Sequence, residues 1–409
     1  MLDIKFIRQN SEKVKEGLAK KQAKVDIDHL LELDEKKRSY LQKIENLRSE
    51  QNKLGKEGIA QAQAIKAEIK SLEPALADIE KELSSLIRQL PNLPLDEVPV
   101  GRDSRDNVVL REVGKKPEFN FKPKDYMEIA ENLDIIDVKR ASKVSGTRFG
   151  YLKGRATLLE LALVNLAFEI LSREGGFVPI IPPVMIKPEM MEAMGYIDTP
   201  EDRAERYFLK DSDLVLVGTS EQSIGPMRKD DILEEKRLPK RYVAFSSCFR
   251  EEAGAYGKDT KGILRVHQFD KVEMFSICQP EKSKEEHQFL LKMEEKLMQS
   301  LKLPYRVVQL CTGDLARPSA STIDIETWLP GQGEYRETHS TSNCTDFQAR
   351  RLNIRYRSKQ GLEFVHTLNG TAFAIGRMLI AIIENCQQKD GSVKVPKALQ
   401  KYTWFKKIG

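Results

Sequence analysis

Residues 249–275 read FREEAGAYGKDTKGILRVHQFDKVEMF, a stretch with an unusual density of groups that can do chemistry. An arginine, Arg250, stands beside two glutamates. A glycine- and lysine-rich segment follows (Gly254, Gly257, Lys258, Lys261, Gly262), then a second arginine, Arg265, and then Phe269 and Glu273 at steps of four. Side chains alternate across a strand, so Arg265, His267, Phe269, Lys271 and Glu273 share one face, with every fourth residue about 13 Å further along. A cation, an aromatic ring and an acid in a row can address a phosphate, a base and an amine. Arg250 on a partner strand would add a guanidinium suited to gripping phosphate oxygens in pairs, and the glycines would let a lysine-bearing loop close over polyphosphate. The alternative is a solvent-exposed hairpin laced by cross-strand ion pairs, the usual fate of a charge run. GAYGKD offers a GK followed by Asp, so it is not a GxxxxGK[ST] loop, and no GxGxxG lies at a strand-to-helix junction.

These residues need a scaffold, and 409 residues are enough for two domains. In the first hundred, Leu33, Lys37, Tyr40, Ile44, Leu47, Gln51 and Leu54 step 4, 3, 4, 3, 4, 3. Ile65, Ile69, Leu72, Leu76, Ile79, Leu83, Leu86 and Leu90 repeat the pattern, and the segment stops at PNLP. Heptad seams of this kind joined by the short KLGKEGIA turn predict an antiparallel helical hairpin, roughly 45 Å long at 1.5 Å per residue. Pro74 is expected to bend or open the second helix. Lys36, Arg38, Lys43, Arg48, Lys53 and Lys56 give the outer face a basic character.

After the turn-rich linker LPNLPLDEVPVGRDSRDN, a helix is expected over 155–174 and a Gly-started, Pro-containing strand in GGFVPIIPPVMI. Strands are expected near 214–218, 241–249, 264–277, 305–311, 322–328 and 363–368, with a last helix in TAFAIGRMLIAIIENCQ. This is the pattern of a mainly antiparallel α+β domain with flanking helices. The expected division is 1–103 for the arm and 104–409 for the second domain.

Lys and Arg number 67 against 62 Asp and Glu, a mild basic excess compatible with a polyanionic partner but far from that of a chromatin protein. The start, MLDIKFIRQN, carries no apolar leader, and no run of 18 apolar residues occurs, so a soluble cytoplasmic protein with no membrane contact is expected. Cys248, Cys278, Cys311, Cys344 and Cys386 are too widely spaced for a metal knuckle or a disulfide scaffold, and are expected to be reduced and mostly buried. The scattered His29, His287 and His366 offer no zinc cluster.

The segment CFREEAGAYGKDTKGILRVHQFDKVEMF closely resembles motif 2 of the class II aminoacyl-tRNA synthetases, in its seryl version. LNGTAFAIGRMLIAIIEN resembles motif 3, and the 155–174 helix with GGFVPIIPPVMI resembles motif 1. GTSEQ, GEYRETHSTSNCTDFQARR and the arm ending in PNLP are similar to features of seryl-tRNA synthetases. A lone FRxE would be weak, but the ordered set spans essentially the whole chain.

The resemblance implies ATP-dependent activation of L-serine to seryl-adenylate and its transfer to the 3′ end of tRNA(Ser), and of tRNA(Sec) where the organism has one. It implies that Arg250 contacts the α-phosphate and the serine carboxylate, and that Glu252 holds the adenine side of ATP. Phe269 would stack on the base, Arg377 would cover its other face, and Arg265 would contact phosphate. Glu337 and Ser340 would hold a Mg²⁺ bridging the phosphates. Thr219, Glu221, Glu273 and Thr371 would recognise serine, Glu273 at the ammonium and Thr371 and Glu221 at the hydroxyl. His267 and His339 receive no proton-transfer role. A homodimer across motif 1 and a basic arm that contacts tRNA, on the partner subunit, are also implied; zinc is not.

The chain departs from many relatives at Ser321 and Ile323, where a lysine and an aromatic are commoner, at Thr371, where serine is commoner, and at Thr338–His339. A threonyl or prolyl enzyme does not normally carry this arm beside GTSEQ. A paralogue that loads carrier proteins would not need the arm, and a catalytically dead homologue would be expected to have lost Arg250, Glu273 or Arg377. All three are present.

Overall fold

The computed structural model describes the whole chain except residues 55–57, 254–258 and 260. The turn expected between the two seams, Lys56, and the loop residues Gly254, Gly257 and Lys258 lie outside the described residues. The chain divides into two compact units, Met1–Leu93 and Pro94–Gly409. The break thus falls ten residues before the position expected from the linker. Residues 94–103 are tied into the second unit by bonds such as Leu95 N to Ala320 O (2.9 Å) and Gly101 N to the Thr312 hydroxyl (3.2 Å).

The first unit consists of two short helices, Ile4–Gln9 and Ser11–Lys20, and two long ones, Ile27–Lys53 and Ile59–Gln89. Asp26 caps the first long helix by accepting from the His29 amide. Every seam position read from the sequence is buried or half-buried. Ion pairs Lys37–Glu80 (3.0 Å) and Lys43–Glu68 (2.9 Å) descend one helix as they ascend the other, which makes the pair antiparallel. The seam carries two separate apolar clusters. A basal one gathers Ile7, Val14, Leu30, Leu33, Leu83 and Leu90, and a distal one centres on Ile44, Ile65 and Ile69. Each buried Leu or Ile contributes about 1.5–3 kcal/mol, whereas exposed ion pairs contribute under about 1 kcal/mol. The second helix runs unbroken through Pro74, which is exposed, so water can take the carbonyl its missing N–H leaves. Lys36, Arg38, Lys43, Arg48 and Lys53 are all exposed.

The second unit is built on a sheet whose strands lie in the order Val108–Val113, Tyr305–Gln309, Ser321–Leu329, Glu334–Asn343, His366–Ala374, Gln268–Cys278, Lys240–Phe249 and Val178–Ile180. All neighbours are antiparallel except the last pair. Helices Arg155–Glu174, Ser283–Leu301 and Ile375–Asn385 supply much of the core, with Leu159, Leu163, Leu290, Leu297 and Leu379 packed among Val272, Met274 and Phe373.

Several expected boundaries shift. The 264–277 run becomes strand only at Gln268, so Arg265 precedes the ladder. The last helix begins at Ile375; TAFA completes the strand His366–Ala374, its short apolar run serving either element equally well. GGFVPIIPPVMI yields two short strands, Val178–Ile180 and Met185–Ile186, because Pro182 and Pro183 cannot donate to a ladder. Strands Glu334–Asn343 and Val108–Val113 were not expected. The first hides behind charged and hydroxyl side chains that break the apolar alternation.

All five cysteines are free, four of them buried and Cys386 partly so. Among the described residues, no helix is long and apolar enough to cross a membrane.

Candidate active site

Four adjacent strands of the sheet carry the chemistry, Glu334–Asn343 among them with Glu337 and Ser340. Pairing of Lys240–Phe249 with Gln268–Cys278 sets Cys248 opposite Phe269 and Ala244 opposite Glu273. Pairing with His366–Ala374 sets Thr371 opposite Glu273. Arg250 leaves the end of the hairpin with its amide bonded to His267 O (2.9 Å) and its Nε donating to Gly218 O (3.1 Å). A side chain at 218 would press on Arg206 Nη1 (3.2 Å) and Arg250 Cγ (3.4 Å), so a glycine there lets two guanidinium groups approach. Glu252 has a left-handed backbone (φ 51°) and pairs with Arg265 at 3.1 Å.

These elements enclose a cleft of about 540 Å³, and every site residue named from the sequence lines it: Thr219, Glu221, Arg250, Glu252, Arg265, Phe269, Glu273, Glu337, Ser340, Thr371 and Arg377. Its two ends differ. At the more open end, Arg377 pairs with Glu337 (2.9 Å) and Arg265 with Glu252, while the Arg250 guanidinium lies 5.2 Å from the Phe269 ring centre. Cations and a ring face are thus exposed to one volume, a setting fit for a polyphosphate attached to a flat base.

The other end is small, deep and polar. Glu273 pairs with Lys271 at 2.5 Å and accepts from the Thr371 hydroxyl at 3.4 Å. Burial pushes Glu273 up, opposed first by Lys271 and then by Arg250 and Thr371. Burial, aided by the charge of Glu273, pushes Glu221 up to about 7 against the pull of Lys271, Tyr196 and Arg250. The Tyr196 hydroxyl donates to Glu221 Oε1, but Glu221 Oε2 and Thr219 Oγ1 are buried without a protein partner among the described residues. A buried polar atom left unpaired costs about 1–3 kcal/mol, so this pocket is built to be completed by a small polar ligand.

Sequence reasoning passed over several lining residues. Lys271 shares the face of Glu273 yet received no role. Arg206 comes from the charged run EDRAER, which gives no signal of insertion; it lies 5.5 Å from the Tyr196 ring centre, and burial lowers its pKa, with the nearby charge of Arg250 adding to the effect. Asp324 stands opposite Ser340 in the register, and burial, reinforced by Glu337, raises its pKa well above the usual range. Ser321 is buried and accepts from Gln309 Nε2 at 3.4 Å. His267 binds the Arg250 carbonyl through Nδ1 (3.0 Å), and the buried His339 meets the Thr338 hydroxyl (2.9 Å). Neither ring lines the cleft.

No group of three or more His, Cys, Asp or Glu among the described residues is arranged to hold a metal ion. The Glu337 carboxylate and Ser340 hydroxyl, with Asp324 behind them, are an all-oxygen set, suited to a hard cation that takes its remaining ligands from a substrate.

Comparison with known proteins places the chain in a family. Residues 1–94 match the seryl-tRNA synthetase N-terminal domain family, and residues 207–386 match the class II tRNA synthetase core domain shared by the G, H, P, S and T enzymes. The chain is 45% identical to the serine–tRNA ligase of Dictyoglomus turgidum, over 100% of this chain and 99% of that one. Among solved structures it is similar to the seryl-tRNA synthetase of Pyrococcus horikoshii complexed with ATP (41% identity, TM-score 0.94, 100% and 99% coverage). It is also similar to the cytoplasmic serine–tRNA ligase of Naegleria fowleri in complex with AMP (34%, 0.90, 100% and 98%). Matched over its whole length in both sequence and fold, the chain belongs to the seryl-tRNA synthetase family, the serine–tRNA ligases of class II.

Proposed function

We propose that the cleft performs both steps of a serine–tRNA ligase: attack of the serine carboxylate on the α-phosphorus of ATP with release of pyrophosphate, then transfer of the seryl group to the 3′ end of tRNA(Ser) with release of AMP. Transfer to tRNA(Sec) is proposed where the host has one. The observation that carries the pocket assignment is a buried pair of oxygens without a partner among the described residues, Thr219 Oγ1 and Glu221 Oε2, beside the Lys271-paired carboxylate of Glu273. Serine offers an ammonium for Glu273 and a hydroxyl for Thr371 and Glu221. Alanine would leave those groups unpaired, which is how a site built to bond a hydroxyl rejects its absence.

The serine carboxylate is already ionised at neutral pH, so the first step needs no general base. Catalysis is then positioning and electrostatic stabilisation. Arg250 holds the serine carboxylate and the α-phosphate together, Phe269 and Arg377 sandwich the adenine with Glu252 at its edge, and Arg265 receives phosphate charge. Glu337 and Ser340 are the residues that would hold Mg²⁺, which supplies charge neutralisation to the phosphates when bound. Arg265 pairs with both Glu252 and Asp259, and Arg377 with Glu337, so ATP phosphates would compete with these carboxylates for the two guanidinium groups.

Helix Arg155–Glu174 exposes Leu161 (50%), the strand after it exposes Val178 (54%), and the residue that follows that strand, Ile181, is 83% exposed. These exposed apolar side chains on the segment that resembles motif 1 support a homodimer, which should sediment at twice the chain's mass; a monomer at micromolar concentration would contradict it. The basic outer face of the arm suits a tRNA backbone read by shape.

The test is charging of tRNA with labelled serine. Wild-type protein is expected to form acid-precipitable seryl-tRNA. Glu273→Gln should raise the serine KM roughly 30-fold, the effect of losing a charged hydrogen-bond partner. An unchanged KM would place the ammonium elsewhere.

A further inference from the structure

Lys271 and Glu273 are two residues apart on one strand, so both side chains emerge on the cleft face. Lys271 Nζ lies 2.5 Å from Glu273 Oε2, and the two side chains are only 8% and 2% exposed. A buried cation is therefore bound to the carboxylate that the proposal above gives to the serine ammonium, on which this inference rests.

The remaining neighbours of Glu273 are few. Thr371 approaches from the adjacent strand, Cys248 and Arg250 from the other, Glu221 from the short helix Glu221–Ile224, and Glu294 from helix Ser283–Leu301. Glu294 is wholly buried, neither of its oxygens has a partner among the described residues, and burial, reinforced by the charges of Glu273 and Asp324, pushes its pKa well above the usual carboxylate range. Cys248 is likewise kept neutral by burial. Arg250 is committed to the serine carboxylate and the phosphate. That leaves two carboxylates, Glu221 and Glu273, sharing one resident cation.

Two buried carboxylates side by side cannot both ionise without positive charge, and one would take up a proton. With Lys271 present and serine bound, two cations face two carboxylates, and the substrate carboxylate faces Arg250. The pocket is then neutral, and each ion has a partner.

We propose that Lys271 is the resident counter-ion of the amino-acid pocket: it holds Glu273 ionised while the pocket is empty, then yields that carboxylate to the substrate ammonium and turns to the unpartnered Oε2 of Glu221. Lys271 is thus a positioning residue acting through Glu273. It prepares the acceptor in the charge state that serine requires.

The test compares the pH dependence of the serine KM in wild type, Lys271→Met and Lys271→Gln, read by ATP/pyrophosphate exchange between about pH 6 and pH 8.5. Removing Lys271 removes the leading influence that keeps Glu273 ionised, so protonation of Glu273 moves upward into this window. A protonated Glu273 cannot hold an ammonium, so the serine KM of both variants should rise on the order of tenfold or more from the alkaline to the acid end. The wild-type KM should rise only a few-fold over this range, from the titration of Glu221 alone, ATP KM should be unaltered in all three, and Lys271→Arg should restore the wild-type profile. The glutamine variant, which keeps a hydrogen-bond donor, guards against a packing defect in the methionine one. Serine-specific exchange in wild type with variant profiles no steeper than its own, or a loss confined to kcat, overturns this inference alone. Wild-type silence toward serine overturns the pocket assignment and this inference with it.

Discussion

Arg250→Ala is expected to lower serine-dependent ATP/pyrophosphate exchange by on the order of 10³-fold, with the protein still folded. The size follows from the role: a fixed cation aimed at charge that develops on a transferring phosphoryl group contributes about 10³-fold or more. Folding should be little affected, because among the described residues the side chain donates to one main-chain acceptor, Gly218 O, and such a bond contributes about 1 kcal/mol. Arg250→Lys keeps the charge but loses the planar fork that bridges carboxylate and phosphate, so it should recover only a small part of the activity. Exchange within tenfold of wild type in a folded Arg250→Ala protein would remove Arg250 from the mechanism.

The arm yields the second large effect. Replacing residues 40–72 by a short Gly-Ser turn deletes the distal cluster of Ile44, Ile65 and Ile69 and leaves the basal cluster that ties Leu30, Leu33 and Leu83 to the first two helices. Among the described residues, five exposed cations, Lys43, Arg48, Lys53, Lys66 and Lys70, leave with it. Serine activation should remain within about twofold, since all the described residues that line the cleft belong to the second unit. Aminoacylation of tRNA should fall on the order of 100-fold in kcat/KM, as each lost phosphate contact weakens binding. Measuring exchange and charging on the same preparation separates the two steps. Equal loss of both would mean that the deletion had damaged the second unit, and normal charging would mean that the distal arm takes no part in tRNA recognition.

Much of this architecture was legible in the residues, for reasons that differ by region. The hairpin seams could be read because heptad spacing maps directly onto burial: Ile44, Ile65, Ile69 and Leu83 are buried where the 4, 3 steps put them. The cleft residues could be read because Arg250, Glu273 and Arg377 are expensive to place in a core and recur in a known order. Pairings between distant segments were not legible. Nothing local in SASTID or ETHS sets Asp324 opposite Ser340, and nothing in DKVE says that Lys271 closes on Glu273 and not on Asp270. The strand Glu334–Asn343 was missed because its hydroxyls face other hydroxyls across the sheet, as Thr338 does Thr327 (2.7 Å), and polar pairs leave no apolar alternation. Arg206 was missed for a related reason: its insertion beside Arg250 depends on the fold of the 196–206 segment over the pocket, which its own composition does not announce.

Serine-dependent ATP/pyrophosphate exchange on the purified protein, with threonine, alanine, glycine and proline run in parallel, tests the central claim most directly. Robust exchange is expected with serine and no more than about a hundredth of it with alanine or glycine, because those would leave Glu221 and Thr371 without the hydroxyl proposed to complete them. Comparable exchange with another amino acid, or none with serine, would contradict the assignment of the pocket.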